Sequence, residues 1–300
     1  MRLYYSDTFV LPLPPGHRFP MEKYARLRQL LQEDGFPAGD FLLPEAATRE
    51  ELCRAHAPAY VDRVLGGQLT AAEIRHIGFP WSAPMVERSR RSAGATLAAC
   101  RAALEEGCGI NLAGGTHHAH HDSGSGFCVF NDAAVAARAM QAEGRVARIA
   151  VIDCDVHQGD GTARILTGDD SVFTFSLHGA RNFPFDKAQS DLDIELPDES
   201  GDAAYLEALE QGLERTFSLS RPQLAIYLAG ADPYAGDRLG RLSLSMAGLQ
   251  ARDERVLAAC RERSIPVAIA MAGGYARDIG DTVTIHANTI RCARRLFARG

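Results

Sequence analysis

The sequence predicts an α/β fold in which a single domain, residues 1–300, has three α/β/α layers around a central, mostly parallel sheet. Short, nearly continuous apolar runs recur along the chain, as expected of strands that are covered on both faces. Segments with helical spacing of apolar residues lie between these runs, which is typical of parallel sheets with helices on both sides. No linker-like segment divides the chain, so we expect one domain.

The elements follow from these patterns in chain order. Apolar runs bounded by Gly, Pro or charged residues predict strands at 110–112, 149–152, 172–177, 224–228 and 267–271. Helical spacing predicts helices at 86–104, 131–142, 203–217, 249–261 and 282–297. Residues 12–20 and 180–192 are predicted to be irregular. Ligands bind beyond the carboxyl ends of the strands in such sheets, so the residues after each strand are site candidates.

Composition limits the function classes. The 300 residues are 46% hydrophobic with a net charge of -6, and this acidic balance argues against broad nucleic-acid binding. The basic cluster of Arg88, Arg90 and Arg91 is interpreted as the solvent-facing side of a helix. No apolar run reaches about twenty residues, so we expect no membrane span, and the N-terminus lacks a signal-peptide core. Seven scattered cysteines fit reduced thiols in the cytoplasm better than disulfides.

The second predicted strand runs into "DCDVHQGDG", where Asp153, Asp155 and His157 alternate. An extended chain points alternating side chains the same way, and converging carboxylates are costly without a cation. One such residue alone would fit a solvated loop or a helix N-cap. An EF-hand calcium loop is excluded, because Gln158 and Arg164 occupy the positions that need Gly and Glu.

The fourth strand ends in "AGADPYAGDRLG", which contains Asp232. By itself this Asp-Pro would indicate a turn. Together with Asp155 and His157 it completes a set of nitrogen and oxygen donors, and zinc hydrolases commonly use three protein ligands and leave one position open. The sequence therefore predicts a metal site at this edge of the sheet.

The fifth strand ends in "AGGYA", where Gly273 and Gly274 permit close approach of a ligand. Tyr275 would present its hydroxyl at the same edge. The commoner fate of a tyrosine is packing in the core, and that alternative stays open.

The first strand is followed by "GGTHHAHH", residues 114–121. Two adjacent histidines need polar partners, and the acids of the metal loop, Asp153 and Asp160, are suitable because a carboxylate fixes the tautomer of an imidazole. His117 and His118 are therefore predicted to serve catalysis rather than metal binding. The two later histidines of this segment are expected to be solvent-exposed.

Taken together, these segments resemble the zinc-dependent histone deacetylase family, which has the arginase/deacetylase fold. The matching segments, in the family's order, are "GGTHHAHHDSGSGFCVFNDAAVAA", "VIDCDVHQGDGTA", "FSLH", "AGADPYAGDRLG" and "AGGYA". They span residues 114–276, and "RHIGFPWS" upstream looks closest to the class IV branch and its bacterial relatives.

The resemblance implies one zinc ion per chain, held by Asp155, His157 and Asp232, with iron as the alternative native metal. It also implies a structural potassium ion beneath the zinc. The positions that match the potassium site are Asp153, Asp155, His157, Ser176 and Leu177.

The resemblance also implies catalytic roles. His118 matches the general base and acid, with Asp160 behind it, and His117 matches a companion histidine backed by Asp153. Tyr275 matches the tyrosine that donates a hydrogen bond to the substrate carbonyl.

For the substrate tunnel, the resemblance implies that Gly126 and Phe127 form one wall and Phe183 the opposite wall. Thr116 departs from the aromatic residue common at its position, which puts the local pocket shape in doubt. No predicted catalytic position departs from the pattern.

The implied activity is hydrolysis of acyl groups, acetyl or longer, from the lysine side chain of proteins or peptides. Longer groups are expected because the glycines at 114, 115, 273 and 274 present little bulk behind the metal, unless Met271 or Phe130 fills the space. Alternatives are an acetylpolyamine or other small-molecule amidohydrolase, a two-metal ureohydrolase, and an inactive binding module. The oligomeric state is not predicted.

Overall fold

The structure, a computed structural model, describes residues 1–297 and contains an eight-stranded sheet whose paired strands are all parallel. The order across the sheet is β2-β1-β3-β8-β7-β4-β5-β6. The strands are β1 (Arg2–Tyr4), β2 (Phe41–Leu42), β3 (Cys108–Asn111), β4 (Ile149–Asp153), β5 (Val172–Gly179), β6 (Leu192–Leu196), β7 (Leu224–Leu228) and β8 (Val267–Ala270).

Helices connect most of the strands. They are α1 (Glu22–Glu33), α2 (Arg49–Leu52), α3 (Pro58–Leu65), α4 (Ala71–Ile77), α5 (Ala83–Glu106), α6 (Asp132–Ala142), α7 (Asp160–Leu166), α8 (Asp202–Ser220), α9 (Met246–Glu262) and α10 (Ile279–Phe297).

The predicted fold class is confirmed. Alternate residues of β4 enter two separate cores: Ile149 and Val151 pack on the side of α5 and α6, whereas Ala150 and Ile152 pack on the side of α8, α9 and α10. All five residues of β4 are buried. Such a strand must be covered on both faces, and this explains why its sequence is nearly continuous in apolar residues.

The five predicted strands correspond to β3, β4, β5, β7 and β8, and the five predicted helices to α5, α6, α8, α9 and α10. Residues 12–20 contain no helix or strand, as expected. The prediction did not include β1, β2, β6, α1, α2, α3, α4 or α7. Among the helices of residues 1–297, none is both long and apolar enough to cross a membrane.

Capping fixes the ends of α5, the longest helix described. The Ser82 hydroxyl accepts a hydrogen bond from the Met85 amide at its start, and Gly107 ends it with a φ of 92°. A residue with a side chain is strained at that φ, so glycine is favoured here. The sharp end of α5 turns the chain directly into β3, which leads to the histidine segment.

Candidate metal centre and active site

The site lies at the carboxyl edge of the sheet. The loops after β3, β4, β7 and β8 carry His117 and His118, Asp155 and His157, Asp232, and Tyr275, and these strands are adjacent in the sheet order. All of these side chains line one cavity of about 590 Å³. The structure thus brings together residues that are more than 150 positions apart in the chain, at the sheet edge where ligands of parallel folds bind.

The predicted metal ligands form one cluster. Asp155, His157 and Asp232 each offer a ligand atom, and these atoms all lie within 4.8 Å of one another. Asp155 and Asp232 are 1% and 0% exposed. The Oδ2 atom of Asp232 is buried and accepts no hydrogen bond from the described residues. Nδ1 of His157 is 3.4 Å from this oxygen, and a buried carboxylate oxygen without a hydrogen bond is a feature that a bound cation would satisfy.

The pKa shifts of the two carboxylates also fit a bound cation. Burial and the charge of Asp155 raise the pKa of Asp232 above its usual range. Burial opposes ionisation of Asp155, but His117 and His157 outweigh it and lower the pKa of Asp155. Two crowded carboxylates with one imidazole fit a zinc-type cation with mixed nitrogen and oxygen ligands.

Glycine backbones make room for this cluster. A Cβ atom on Gly230 would lie 2.9 Å from Oδ2 of Asp155, and one on Gly273 would collide with Asp232. The Gly273 amide donates to Oδ2 of Asp155 at 2.8 Å. Gly273 therefore allows close approach of its loop to the carboxylates, whereas the sequence predicted that it would admit a ligand.

The potassium candidates surround the end of β4. Asp153 pairs in register with Ser176 of β5, and Leu177 follows Ser176. Oδ1 of Asp153 accepts a hydrogen bond from the Asp155 amide at 3.1 Å. These contacts bring the candidates together on adjacent strands, and the potassium site stays a prediction.

His117 and His118 are both buried, and their ring centroids are 4.1 Å apart. Nδ1 of His117 is 2.6 Å from Oδ2 of Asp153, and Nδ1 of His118 is 2.6 Å from Oδ1 of Asp160. Each imidazole thus has its own carboxylate behind it, in the pairing that the resemblance implied. The Nε2 atom of each ring is left for other contacts.

The two imidazoles differ in charge state. Burial opposes protonation of His117, but Asp153 and Asp155 outweigh it and raise the pKa of His117 to about 9. Burial and the charge of His117 lower the pKa of His118 to about 4, against the effect of Asp160. At neutral pH His118 is therefore the neutral member of the pair, able to accept a proton.

The remaining histidines of the segment do not both behave as predicted. His121 is exposed, as expected, although its Nδ1 is 3.0 Å from the Ala55 carbonyl. The prediction for His120 was wrong, because its side chain is 19% exposed and Nε2 lies 3.1 Å from Oδ2 of Asp160. One carboxylate, Asp160, therefore contacts two imidazoles.

The start of α6 holds the histidine segment in place. The Asn131 side chain accepts from the Ala134 amide as an N-cap and donates to the His117 and Ala119 carbonyls at 3.3 and 3.1 Å. The Thr116 hydroxyl donates toward the Phe130 carbonyl at 2.5 Å and lies 2.8 Å from Asp132. The Thr116 side chain is thus tied to the start of α6.

Tyr275 is 9% exposed and faces the cavity. Its amide donates to Oδ2 of Asp237 at 2.6 Å, and its carbonyl accepts from Nε of Arg238 at 3.0 Å. Burial raises the pKa of Tyr275 well above its ordinary value, so its hydroxyl keeps its proton and can donate. Asp237 was not singled out from the sequence, although it lies in the quoted "AGADPYAGDRLG".

Aromatic walls flank the cavity. The Phe127 ring stacks on Phe79 with centroids 5.3 Å apart, and Phe19 lies 5.5 Å from Phe127. The Phe183 ring meets His118 edge-on at 4.9 Å. A Cβ atom on Gly126 would lie 2.7 Å from Cδ2 of His118, so glycine lets this wall approach the histidine. Gly126, Phe127 and Phe183 all line the cavity, whereas Phe19 and Phe79 were missed from the sequence.

Buried side chains also line the cavity, among them Leu11, Tyr24, Met85, Arg88 and Phe130. The interpretation of Arg88 as solvent-facing was wrong: the residue is 7% exposed, and its guanidinium lies 4.4 Å from the Tyr24 ring centre.

The glycines expected to leave volume do not do so. Cβ atoms on Gly114 and Gly273 would meet Asp132 and Asp232, and one on Gly115 would meet Ala272. These glycines allow backbones and carboxylates to pack closely, which fills the space. Other buried residues that line the cavity, such as Met85 and Leu11, were not considered from the sequence.

Lys23 is a further residue that the sequence did not reveal. It is 2% exposed, and its Nζ atom lies 3.4 Å from the Ala272 carbonyl and 3.3 Å from the Gly274 carbonyl. It also lies 5.3 Å from the Tyr275 ring centre. This buried ammonium thus braces the loop that carries Tyr275.

Comparison with known proteins shows which family this chain resembles. A family model described as a histone deacetylase domain matches residues 17–290. The chain is 44% identical to an uncharacterized protein of Picosynechococcus sp., covering 98% of each chain. It is 32% identical to histone deacetylase 2 of Arabidopsis thaliana, covering 92% of this chain and 75% of that protein. It is 31% identical to a histone deacetylase-like amidohydrolase of Pseudomonas aeruginosa, covering 88% and 74%.

Solved structures share the fold. An HDAC homolog from Aquifex aeolicus matches with a TM-score of 0.83 and 24% identity, covering 97% of this chain and 83% of that one. An acetylpolyamine aminohydrolase from Burkholderia pseudomallei matches with a TM-score of 0.80 and 22% identity, covering 99% of both chains.

Proposed function

This chain belongs to the histone deacetylase family, and on that premise we propose that it is a zinc-dependent hydrolase that removes acyl groups from the lysine side chains of proteins or peptides. The observation that carries the proposal is the buried cluster of Asp155, His157 and Asp232 beside His118, whose Nδ1 is 2.6 Å from Asp160. Both lie in a cavity with aromatic walls. Such walls suit the apolar stem of a lysine side chain.

In the proposed reaction, Asp155, His157 and Asp232 hold the zinc ion. When bound there, zinc polarises the amide carbonyl and makes water more acidic. Side chains of the protein transfer the protons and stabilise the developing negative charge. His118 takes a proton from the attacking water through Nε2, since Nδ1 is engaged by Asp160.

As the water oxygen bonds to the carbonyl carbon, negative charge develops on the carbonyl oxygen. The Tyr275 hydroxyl donates a hydrogen bond to that oxygen, and the protonated His117 adds positive charge nearby. The carbon–nitrogen bond then breaks, and His118 returns its proton to the leaving lysine amine. The products are a carboxylate and a free lysine.

Phe127 and Phe183 are proposed to grip the lysine stem, with Gly126 giving access to His118. The acyl group would then point toward the buried part of the cavity lining, which includes Leu11, Met85 and Phe130. We propose that this space accepts acyl chains longer than acetyl, since each buried methylene contributes about 0.8 kcal/mol. Catalytic efficiencies on one peptide carrying acetyl-, octanoyl- or myristoyl-lysine test this, and a steady fall from acetyl upward would refute it.

The experiment that tests the function combines activity with metal content. Purified wild-type protein loaded with zinc is assayed on acyl-lysine peptides and acylpolyamines, in parallel with Asp232→Ala. We expect peptide hydrolysis by wild type, and loss of both activity and bound metal in the variant, because one of three ligands is gone. Exposed Asp170, which precedes β5 and is outside the cavity lining, is replaced by Ala as the matched control that keeps both. Full activity in protein shown to be free of metal would contradict the proposal.

Further features of the proposal rest on the sequence resemblance. We propose a potassium ion held by residues including Asp153 and Ser176, a native metal that is zinc rather than iron, and a relation to the class IV branch. A cytoplasmic location is proposed from the cysteines, none of which forms a disulfide and six of which are buried. Metal analysis of protein purified without chelators, and fractionation of the native cells, check these points.

A further inference from the structure

The mouth of the active-site cavity carries an excess of positive charge. Four exposed arginines line it: Arg18, Arg75, Arg181 and Arg241. The acidic residues that line the same cavity, Asp155 and Asp232, are buried at its floor in the proposed metal cluster. The chain as a whole has a net charge of -6, so the basic mouth is a local feature.

Two of the arginines stand on the Phe127 side. Arg18 lies between His17 and Phe19, whose rings are 5.7 and 5.5 Å from the Phe127 ring. Arg75 precedes His76, whose carbonyl accepts a hydrogen bond from the Gly126 amide at 3.2 Å. Within residues 1–297, neither Arg18 nor Arg75 has a carboxylate within 4.0 Å.

The other two stand on the Phe183 side. Arg181 is two residues before Phe183, and the Arg241 amide donates to the Asn182 side chain at 3.2 Å. Both guanidinium groups contact one carboxylate, Asp198, at 3.4 and 3.2 Å. The two arginines of this side thus share one carboxylate, whereas those of the Phe127 side have none within 4.0 Å in the described part of the chain.

Two other exposed acids are close to this region. The Glu199 amide donates to the Arg241 carbonyl at 2.7 Å, which places this acid beside the Phe183 side of the mouth. Asp186 follows the 85% exposed Phe185, and its carboxylate is 4.0 Å from Arg164, a basic partner of its own. The two sides of the lysine tunnel thus both present guanidinium groups to whatever flanks the acyl-lysine.

We propose that the enzyme selects acyl-lysine residues in acidic stretches of polypeptide, which extends the function proposed above and rests on it. Carboxylates on either side of the acyl-lysine would face the arginines while the lysine stem fills the tunnel. Each exposed ion pair contributes little, but several like charges around one opening steer and hold an oppositely charged ligand. The same charges repel an acylpolyamine, whose remaining amines are cationic.

The first test compares three peptides with the same central acyl-lysine and flanking residues that are all Asp or Glu, all Gly or Ser, or all Lys or Arg. At low ionic strength we expect kcat/KM for the acidic peptide to exceed that for the basic peptide by about tenfold. Added salt should reduce this ratio, since exposed charges are screened.

The second test reverses the unpaired charges with Arg18→Glu and Arg75→Glu together. The acidic-over-basic ratio should collapse, while turnover of the neutral peptide stays within about twofold of wild type. Arg215→Glu is the matched control, because Arg215 is equally exposed and without an ion pair among the described residues but lies on α8, outside the cavity lining. It should leave the ratio unchanged.

The results of these two tests distinguish the proposed selection for acidic sequences from the proposed deacylase function. Equal kcat/KM for all three peptides, or a ratio unchanged in the double variant, overturns the selection for acidic sequences and leaves the deacylase proposal standing. If none of the peptides is hydrolysed, the proposed function and this inference fail together.

Discussion

His117 and His118 are neighbours in the chain, both buried, and each is bonded through Nδ1 to a carboxylate 2.6 Å away. Their pKa values nevertheless shift in opposite directions, to about 9 and about 4. The local geometry is the same, so the difference comes from the surroundings. Nε2 of His117 also lies 3.8 Å from Asp155, whereas His118 faces the charge of His117 and shares Asp160 with His120.

The difference shows that a carboxylate partner does not by itself decide whether a buried imidazole is charged. Two carboxylates around His117 outweigh its burial, while one shared carboxylate does not outweigh burial and a neighbouring cation at His118. One histidine is thus suited to stabilise negative charge and the other to exchange a proton. The following predictions test this division of roles.

The largest effect is expected from His118→Ala. Turnover of an acyl-lysine peptide should fall by about a thousandfold or more, because the group that moves the proton is lost. Zinc content, measured by atomic absorption, should stay as in wild type. His117→Ala is the comparison variant and should lose less. If His118→Ala keeps near-normal turnover, or if the two variants lose the same, the assigned roles are wrong.

Tyr275→Phe tests the proposed hydrogen bond from the Tyr275 hydroxyl to the substrate carbonyl oxygen, in which the tyrosine stays neutral. It should lower kcat by about a hundredfold or more, the usual cost of losing one donor to a developing oxyanion. Because Tyr275 is held by backbone contacts to Asp237 and Arg238, the fold and zinc content should change little. Tyr234→Phe, on the same edge of the sheet, serves as the control and should keep wild-type kcat. A mild effect on turnover would mean that the Tyr275 ring only packs.

Asp160→Asn tests the carboxylate behind His118. An amide can still accept from Nδ1, but the negative charge that supports a protonated His118 is gone, so kcat should fall about tenfold to a hundredfold. The exposed Asp122, on the same loop as the histidines, provides the control variant Asp122→Asn, which should act like wild type. Equal rates for Asp160→Asn and wild type would show that Asp160 does not support the protonated form of His118.

The smallest effect concerns a histidine outside the reaction. His56 is 0% exposed, with Nδ1 2.8 Å from the His120 carbonyl and Nε2 accepting from the Asn131 amide at 2.9 Å. Burial lowers the pKa of His56 from 6.5 to about 4. Its contribution to stability is therefore fully present above pH 6.5 and is lost as the pH falls toward 4, since only the unfolded state binds the proton there.

This contribution predicts a loss of up to about 1.4 kcal/mol of unfolding free energy for each pH unit between 6.5 and 4. In His56→Gln this contribution to the pH dependence of the unfolding free energy should disappear, as measured by urea unfolding at several pH values. An unchanged slope in His56→Gln would contradict the assignment of a neutral, buried His56.

The sequence predicted the centre of the sheet better than its edges. The central strands β4, β7 and β8 are buried along their whole length and therefore read as continuous apolar runs. At the edges, β2 has two residues and β6 alternates with Asp193 and Glu195, so neither gives that pattern. Edge strands are partly exposed, and their pairing depends on neighbours that are distant in the chain.

The same contrast holds in the site. Asp155, Asp232 and Tyr275 each follow a strand closely, so their meeting at one edge could be predicted from the rule that ligands bind beyond the carboxyl ends of parallel strands. Phe19 and Lys23 come from the N-terminal segment, whose position against the cavity depends on tertiary packing with no local pattern. The basic mouth was invisible for the same reason, because its arginines come from four separate segments.

The central claim is that this chain hydrolyses acyl-lysine. The most direct measurement is mass spectrometry of an acyl-lysine peptide incubated with the zinc-loaded wild-type protein in water enriched in oxygen-18. The account predicts that the peptide loses its acyl group and that the released carboxylate contains one heavy oxygen, taken from water. A peptide that keeps its acyl group, or a released acyl group without heavy oxygen, would contradict it.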